Sequence, residues 1–173
     1  MNKLLCLLTL FVLINSCDKR DNKTVSYSDR TDYVGLNSFI KDSLPSLNSL
    51  NKDYSDILSK WKDIEIIVSS SKIMSSDSKQ LSLLLENLKI DIKKINDKRF
   101  YVTFDVPQII GRFRVFKTNI LKINSNKIED KDIQTFKNNL KSIIISYNAL
   151  INMINEIAKK SDEEKTEFKV SEK

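Results

Sequence analysis

Residues 133–157 read IQTFKNNLKSIIISYNALINMINEI and contain the longest periodic pattern in the chain. The apolar side chains recur at alternating steps of three and four residues, at Ile133, Phe136, Leu140, Ile143, Tyr147, Leu150, Ile154 and Ile157. Because an α-helix makes one turn in about 3.6 residues, this spacing puts all of them on one helical face. Such a face must be buried against other elements. The stretch therefore predicts a long amphipathic helix within an all-α fold.

Three further apolar stripes precede this helix. They are Leu47, Leu50, Tyr54, Ile57, Trp61, Ile64 and Val68; Leu81, Leu85, Leu88, Ile92 and Ile95; and Ile109, Phe113, Phe116, Ile120 and Ile123. Connections of about 5–15 residues between helices favour antiparallel neighbours. We predict an antiparallel bundle of about four helices over residues 32–161. The same stripes also suit a dimer of long helical hairpins, so the pattern leaves the oligomeric state open.

Residues between the stripes indicate where the helices begin. An earlier helix would join the first stripe through a kink at Pro45. Asp105 is positioned to cap the third helix, and Asn126 with Glu129 has the spacing of a capping box before the fourth. We identify no internal repeat in the sequence beyond the three-four spacing of these stripes.

The segment of residues 99–106 departs from the helical period. Its apolar residues Phe100, Val102, Phe104 and Val106 alternate with more polar ones, which is typical of a β-strand. A single strand has no partner in an all-α chain, so we expect an extended connector that lays its aromatic side chains on the bundle. The end of the second helix is the alternative that the pattern leaves open.

The amino-acid inventory excludes several kinds of catalytic site. The 173 residues contain no His, and Gly occurs only at positions 35 and 111. Imidazole-based catalysis, His metal sites and glycine-rich phosphate loops are therefore excluded. The acidic residues of the first stripe alternate with lysines, which is typical of a solvated helix face. We predict no enzymatic activity, no catalytic residue, no metal site and no cofactor.

The N-terminus has the composition of a secretory signal peptide. Lys3 precedes an apolar run over residues 4–14 that is interrupted only by Thr9, and charged residues follow Cys17 abruptly. The run is too short for a membrane-spanning helix, which needs about 20 residues. We predict a signal peptide at 1–16, a polar flexible tether at 17–31 that includes Cys17, and a charged flexible tail at 162–173.

The run Leu13-Ile14-Asn15-Ser16-Cys17 resembles the lipobox of bacterial lipoproteins. Ile14 stands where the strict pattern has Leu, and this looser form resembles spirochaetal lipoboxes of the Borrelia type. The resemblance implies cleavage before Cys17, lipidation of its thiol and attachment to the bacterial outer membrane. It also implies similarity to small helical outer-surface lipoproteins of spirochaetes, many of which adhere to host molecules or blunt host defences. An ordinary secreted protein with a chance cysteine is the alternative.

Basic residues are concentrated in the middle of the chain. The whole sequence has 29 Lys and Arg against 23 Asp and Glu, whereas residues 87–127 have ten against three. The candidate binding patch consists of Lys93, Lys94, Lys98, Arg99, Arg112, Arg114 and Lys117, with Phe100, Tyr101 and Phe104 as neighbouring aromatic contacts. An acidic protein or a sulfated glycan fits this charge. Nucleic acid does not fit the compartment, and a solvated face is the alternative interpretation of the patch.

These features predict a lipid-anchored helical binding protein displayed at the cell surface. It would contact a host or environmental macromolecule through a basic or aromatic face. The alternative is a periplasm-facing envelope lipoprotein with a scaffolding or lipid-carrying role. The scaffolding role would require a second apolar face, for which Ile66, Ile67, Ile144, Ile145 and Ile151 are the candidates. The alternative for these residues is that they only widen the core face of the bundle. In the lipid-carrying variant, the bundle would open between its helices.

Overall fold

The computed structural model describes residues 35–96, 100–125 and 132–171, without the side chains of Lys79 and of residues 165–171. Within these ranges the regular secondary structure is helical, and no strand occurs. The all-α prediction is therefore confirmed. The described residues all belong to one compact unit, Thr31–Lys173. Cys17 and the predicted signal peptide and tether, residues 1–31, lie outside the described residues.

Six α-helices and their associated turns follow one another in the described part of the chain. They are α1 (Leu36–Ser38), extended by a π-helical turn (Phe39–Ser43); a 3₁₀ turn (Lys52–Tyr54) leading into α2 (Ser55–Leu58); α3 (Ile64–Ser69), extended by a 3₁₀ segment (Ser70–Ser75); α4 (Ser78–Lys94); a 3₁₀ turn (Val102–Phe104); α5 (Pro107–Lys122); and α6 (Ile133–Ser171).

The three long helices correspond to the last three predicted stripes. Every apolar stripe residue of α4 and α5 is buried, including Ile95 and Ile123 just past the helix ends. In α6 the six inner stripe residues are buried, whereas Ile133 and Ile157 are partly buried against the same core. These stripes are confirmed as core faces. Helix α6 continues to Ser171, past the predicted boundary at residue 161.

The first stripe does not form the continuous helix that its spacing predicts. Residues 45–51 contain no helix, and both Leu44 and Asn51 have extended backbone angles. Pro45 disfavours helical angles at the residue before it, which is a local reason for the break at Leu44. The prediction of a kinked, continuous helix is wrong. The segment instead runs alongside α6, whose side chains bond its main chain.

The connector interpretation of residues 100–106 is confirmed, and the strand and helix-end alternatives are wrong. The segment makes one 3₁₀ turn, and α4 already ends at Lys94. Phe100 and Phe104 are buried, with ring centroids 4.8 Å and 5.3 Å from that of Trp61. Stacked and tilted aromatic contacts of this kind stabilise beyond the area they bury.

One of the two predicted helix caps is wrong, and the other cannot be compared. Val106, not Asp105, occupies the N-cap position of α5, and no side chain caps the helix. Pro107 at the first helical position has no N–H to satisfy, which reduces the need for such a cap. The predicted capping box of Asn126 and Glu129 lies outside the described residues.

Candidate functional site

The predicted basic patch is divided between two sides of α5. Arg112 and Lys117 are five positions apart on this helix. At about 100° per residue their side chains point about 140° apart, so they do not share a face. Arg112 lies toward α6, whereas Lys117 lies toward α4. Lys98 and Arg99 fall outside the described residues.

Two lysines of the patch take part in local contacts. Lys117 Nζ donates to the carbonyl oxygen of Ile95 at 3.1 Å and lies 5.6 Å from the ring centroid of Phe113. A cation at this position complements the C-terminal end of α4. Lys94 forms an ion pair with Asp91 at 2.6 Å. Lys93, in the same last turn of α4, is exposed.

Arg112 borders a groove between α5 and α6. The groove has a volume of about 270 Å³ and is lined by Pro107, Gln108, Gly111, Arg112, Val115, Ser146 and Ala149. The lining is mainly apolar, and Arg112 Nη1 donates to the carbonyl oxygen of Gln108 at 3.1 Å. A Cβ added at Gly111 would meet no atom within 4 Å. Gly111 therefore leaves the groove open and is not required for close helix packing.

Of the three predicted aromatic contacts, Phe100 and Phe104 are part of the core, and Tyr101 is partly buried against it. Phe100 and Phe104 are buried, so these two rings are not available to a partner. Trp61 and Tyr147 are buried as well, which confirms their predicted core positions. The indole Nε1 of Trp61 has no hydrogen-bond partner among the residues that the structure describes. Burial raises the pKa of the Tyr147 hydroxyl.

The isoleucines beside the stripes mostly widen the core. Ile67, Ile144 and Ile151 are buried, Ile66 is partly buried, and Ile145 is 52% exposed. A second apolar face built from these five residues is therefore not formed. The broader core face is what a globular helical bundle requires.

A polar cluster that the sequence analysis did not single out joins α4 to the chain after α5. Lys89 Nζ donates to Glu86 Oε1 at 2.8 Å and to Ser125 Oγ at 3.3 Å, and Ser125 Oγ also donates to Glu86. Ser82 Oγ donates to the main-chain oxygen of Ser125 at 2.7 Å. The hydrogen bond from Lys89, followed by that from Ser125, lowers the pKa of Glu86. Of these contacts, the sequence could have indicated only the pair of Glu86 and Lys89, because residues three positions apart are neighbours on a helix.

The cluster predicts an acid-dependent loss of stability. Because the pKa of Glu86 is lower in the folded chain, its contribution is present above the unfolded pKa of about 4.5 and is lost as the pH falls through the folded pKa. Glu86→Gln should lower the free energy of unfolding by roughly 0.5–1 kcal/mol at pH 7, because the Glu86 side chain is 34% exposed and solvent screens its charge. The difference from wild type should shrink below about pH 4.5. Urea unfolding between pH 3 and 7 measures it, and the uncharged substitution Thr118→Ala, at an exposed position, serves as the control whose difference from wild type should be the same at every pH.

Another set of polar contacts links the extended segment to α6. Asn148 Oδ1 accepts from the N–H of Asn48 at 2.8 Å, and Asn148 Nδ2 donates to the carbonyl oxygen of Ser46 at 2.7 Å. Asn155 makes the same pair of bonds to Asn51 N–H and the carbonyl oxygen of Ser49, each at 2.9 Å. These side chains hold the main chain of residues 46–51 parallel to α6.

Asn152 adds a contact between side chains. Its Oδ1 accepts from Asn48 Nδ2 at 2.7 Å. We call Asn148, Asn152 and Asn155 the asparagine row, and residues 46–51 the strap. The strap reads SLNSLN, a repeated triplet that the sequence analysis missed and that could have pointed to an extended segment with three residues per period.

Searches for a metal site and for a membrane-spanning helix, and comparisons with known proteins, assign no function to the chain. Within residues 35–96, 100–125 and 132–171, no group of three or more His, Cys, Asp or Glu side chains is arranged to hold a metal ion. No helix in this part of the chain has the length and apolar character needed to cross a membrane. Comparison with protein-family models, curated proteins and solved structures finds no match to the chain.

Proposed function

We propose that the protein is a lipid-anchored helical binding protein on the surface of a bacterial outer membrane, similar to the spirochaetal outer-surface lipoproteins named above. The observation that carries this proposal is the sequence leading to Cys17. An apolar run of signal-peptide length ends in a lipobox-like pentapeptide, and a polar stretch separates it from the folded helical unit. Lipid chains on Cys17 would hold the protein at the membrane, because each buried CH₂ contributes about 0.8 kcal/mol.

We further infer that α4, α5 and α6 pack in antiparallel fashion. Ser82 near the start of α4 bonds Ser125 after α5, whereas Ile95 after α4 bonds Lys117. The sequence order of the contacts is thus reversed between the two helices. The same reversal supports an antiparallel α5 and α6: Asn119 bonds Ser142 and Ser146, whereas Arg112 shares a groove with Ala149. Helices α2 and α3, with the strap, would supply the fourth layer of the bundle.

The charge of the described patch favours an acidic protein or a sulfated glycan as the partner. Lys93 and Arg114 are exposed, and such surface charges attract polyanions over about one Debye length. Phe100 and Phe104 are not proposed again as contacts to a partner, because both are buried, whereas Tyr101 beside them is only partly buried. Nucleic acid is not proposed as a partner, because an exported lipoprotein would not meet it.

Protease treatment of intact cells tests the proposal. A protease too large to cross the outer membrane should remove the protein while a periplasmic control protein stays intact. Binding of the purified protein to a sulfated glycan should then weaken as the salt concentration rises, because the contacts are between exposed charges. Protection on intact cells, followed by digestion after lysis, would contradict surface display.

The groove between α5 and α6 favours a second candidate, a periplasm-facing lipoprotein that carries a lipid. Its lining is mainly apolar, Val115 in it is 56% exposed, and Arg112 could contact an acidic head group. Mass spectrometry of the purified, detergent-exchanged protein should then detect a co-purified lipid. Gly111→Leu should reduce its amount, because a side chain at this position would enter the open groove.

A further inference from the structure

The asparagine row contacts the strap mainly through peptide groups. A primary amide has one acceptor oxygen and two N–H donors, so it can bond a peptide N–H and a peptide C=O together. Asn148 does this with residues 46 and 48, and Asn155 does it with residues 49 and 51. Four of the five bonds therefore go to the main chain of the strap and are independent of its side chains.

The geometry of the row matches an extended chain. Asn148 and Asn155 are seven residues apart, which corresponds to about 10.5 Å along an α-helix. The equivalent contacts on the strap are three residues apart, or about 9–10 Å in an extended chain. The two repeats therefore stay in register without distortion. Leu47 and Leu50, at matching positions of the two triplets, pack partly buried against the core.

The strap has no fully buried side chain of its own. Leu44 before it and Ile57 after it are buried, whereas none of residues 45–56 is. Lifting the strap would therefore remove no fully buried side chain of its own from the core, and it would break the hydrogen bonds of the row and two partly buried leucine contacts. Such an opening would leave the core contacts of Leu44 and Ile57 in place.

We propose that the asparagine row is a binding site for an extended peptide with an apolar residue at every third position, and that the strap is its removable internal occupant. The chemistry of the occupant defines the class of ligand. Main-chain N–H and C=O groups give the affinity, the apolar residues fill the positions of Leu47 and Leu50, and Asn152 favours an amide side chain at one position. This site is separate from the basic patch and does not depend on lipidation.

A labelled peptide with the sequence of residues 44–51, LPSLNSLN, tests the proposal by fluorescence anisotropy on the full chain in detergent. Wild type should bind it weakly, because the tethered strap competes at an effective concentration on the order of millimolar. The double variant Leu47→Asp, Leu50→Asp should weaken the strap and tighten peptide binding at least tenfold. Adding Asn148→Asp and Asn155→Asp should remove this gain, because a carboxylate keeps the acceptor but loses the donors.

The control variant carries Gln134→Glu and Asn138→Asp on the exposed face of α6, which add the same two charges away from the strap. These two substitutions are added to the Leu47→Asp, Leu50→Asp double variant, and the affinity for the peptide should equal that of the double variant. No gain on weakening the strap, or a gain that survives loss of the row, would overturn the proposal.

Hydrogen exchange of the wild-type chain gives a second measurement that needs no variant. The amides of Asn48 and Asn51 should exchange at least tenfold faster than those of Leu85 and Phe113 in the helical core. Equal protection would mean that the strap opens only when the whole protein unfolds, and the proposal would fail.

Discussion

Replacing Phe104 with alanine is expected to lower the free energy of unfolding by about 3–5 kcal/mol. The side chain is fully buried in a 3₁₀ turn, and its ring lies within 5.3 Å of Trp61 and 6.3 Å of Tyr101, centroid to centroid. Removing it leaves a cavity that the surrounding rings cannot fill without rearrangement. Since small domains are stable by only about 5–15 kcal/mol, this loss is a large fraction of the total. Urea denaturation followed by circular dichroism measures it.

Val102→Ala is the matched control, because Val102 begins the same turn and is 78% exposed. Its free energy of unfolding should stay within about 0.5 kcal/mol of wild type. Equal losses for the two variants would mean that the connector does not pack as described. A large loss for Phe104→Ala alone would support the burial of the Phe104 ring in the core and the exposure of Val102 beside it.

Replacing Cys17 with serine is expected to release the protein from the membrane. The proposed thioether-linked lipid would be absent, and the remaining chain has no other feature proposed to anchor it. Two or three acyl chains hold a protein firmly at a membrane. The Cys17→Ser variant would carry none of these chains. After detergent phase separation, wild type should enter the detergent phase and carry radiolabelled palmitate, whereas Cys17→Ser should carry no label and leave that phase.

Cys6→Ser is the control for this experiment, because Cys6 lies within the apolar run that is predicted to be removed. Its labelling and partitioning should equal those of wild type. Labelled Cys17→Ser, or wild type without label, would contradict the lipoprotein proposal. The basic patch and the asparagine row would be unaffected by that outcome.

The basic patch illustrates how far sequence reasoning reaches for the candidate site. The excess of basic residues between positions 87 and 127 was readable, as was the tendency of lysines to lie near helix ends. The charge pattern alone could not show that these basic residues lie on two different sides of α5, because this depends on which sides of α5 pack against α4 and α6. Lys117 donates a hydrogen bond to the carbonyl oxygen of Ile95, whereas Arg112 borders the groove between α5 and α6.

The connector shows a similar limit to what the sequence predicts about the fold. Alternation in residues 100–106 was compatible with a strand, and only the absence of a partner strand argued for a connector. The burial of Phe100 and Phe104 against Trp61 shows that the segment is a connector packed on the core. These contacts join residues about forty positions apart in the sequence. The same distance in sequence explains why the cluster of Glu86 and Ser125 was missed.

The sequence by itself determined the three long helices α4, α5 and α6. Their apolar spacing relates neighbours three and four residues apart, and those neighbours share a face in any α-helix. The tertiary structure decided that the chain stays extended after Pro45 over residues 46–51, although the spacing of the first stripe is equally regular. The strap bonds asparagines 100–106 residues away, and this long-range satisfaction of its peptide groups replaces the local hydrogen bonds of a helix.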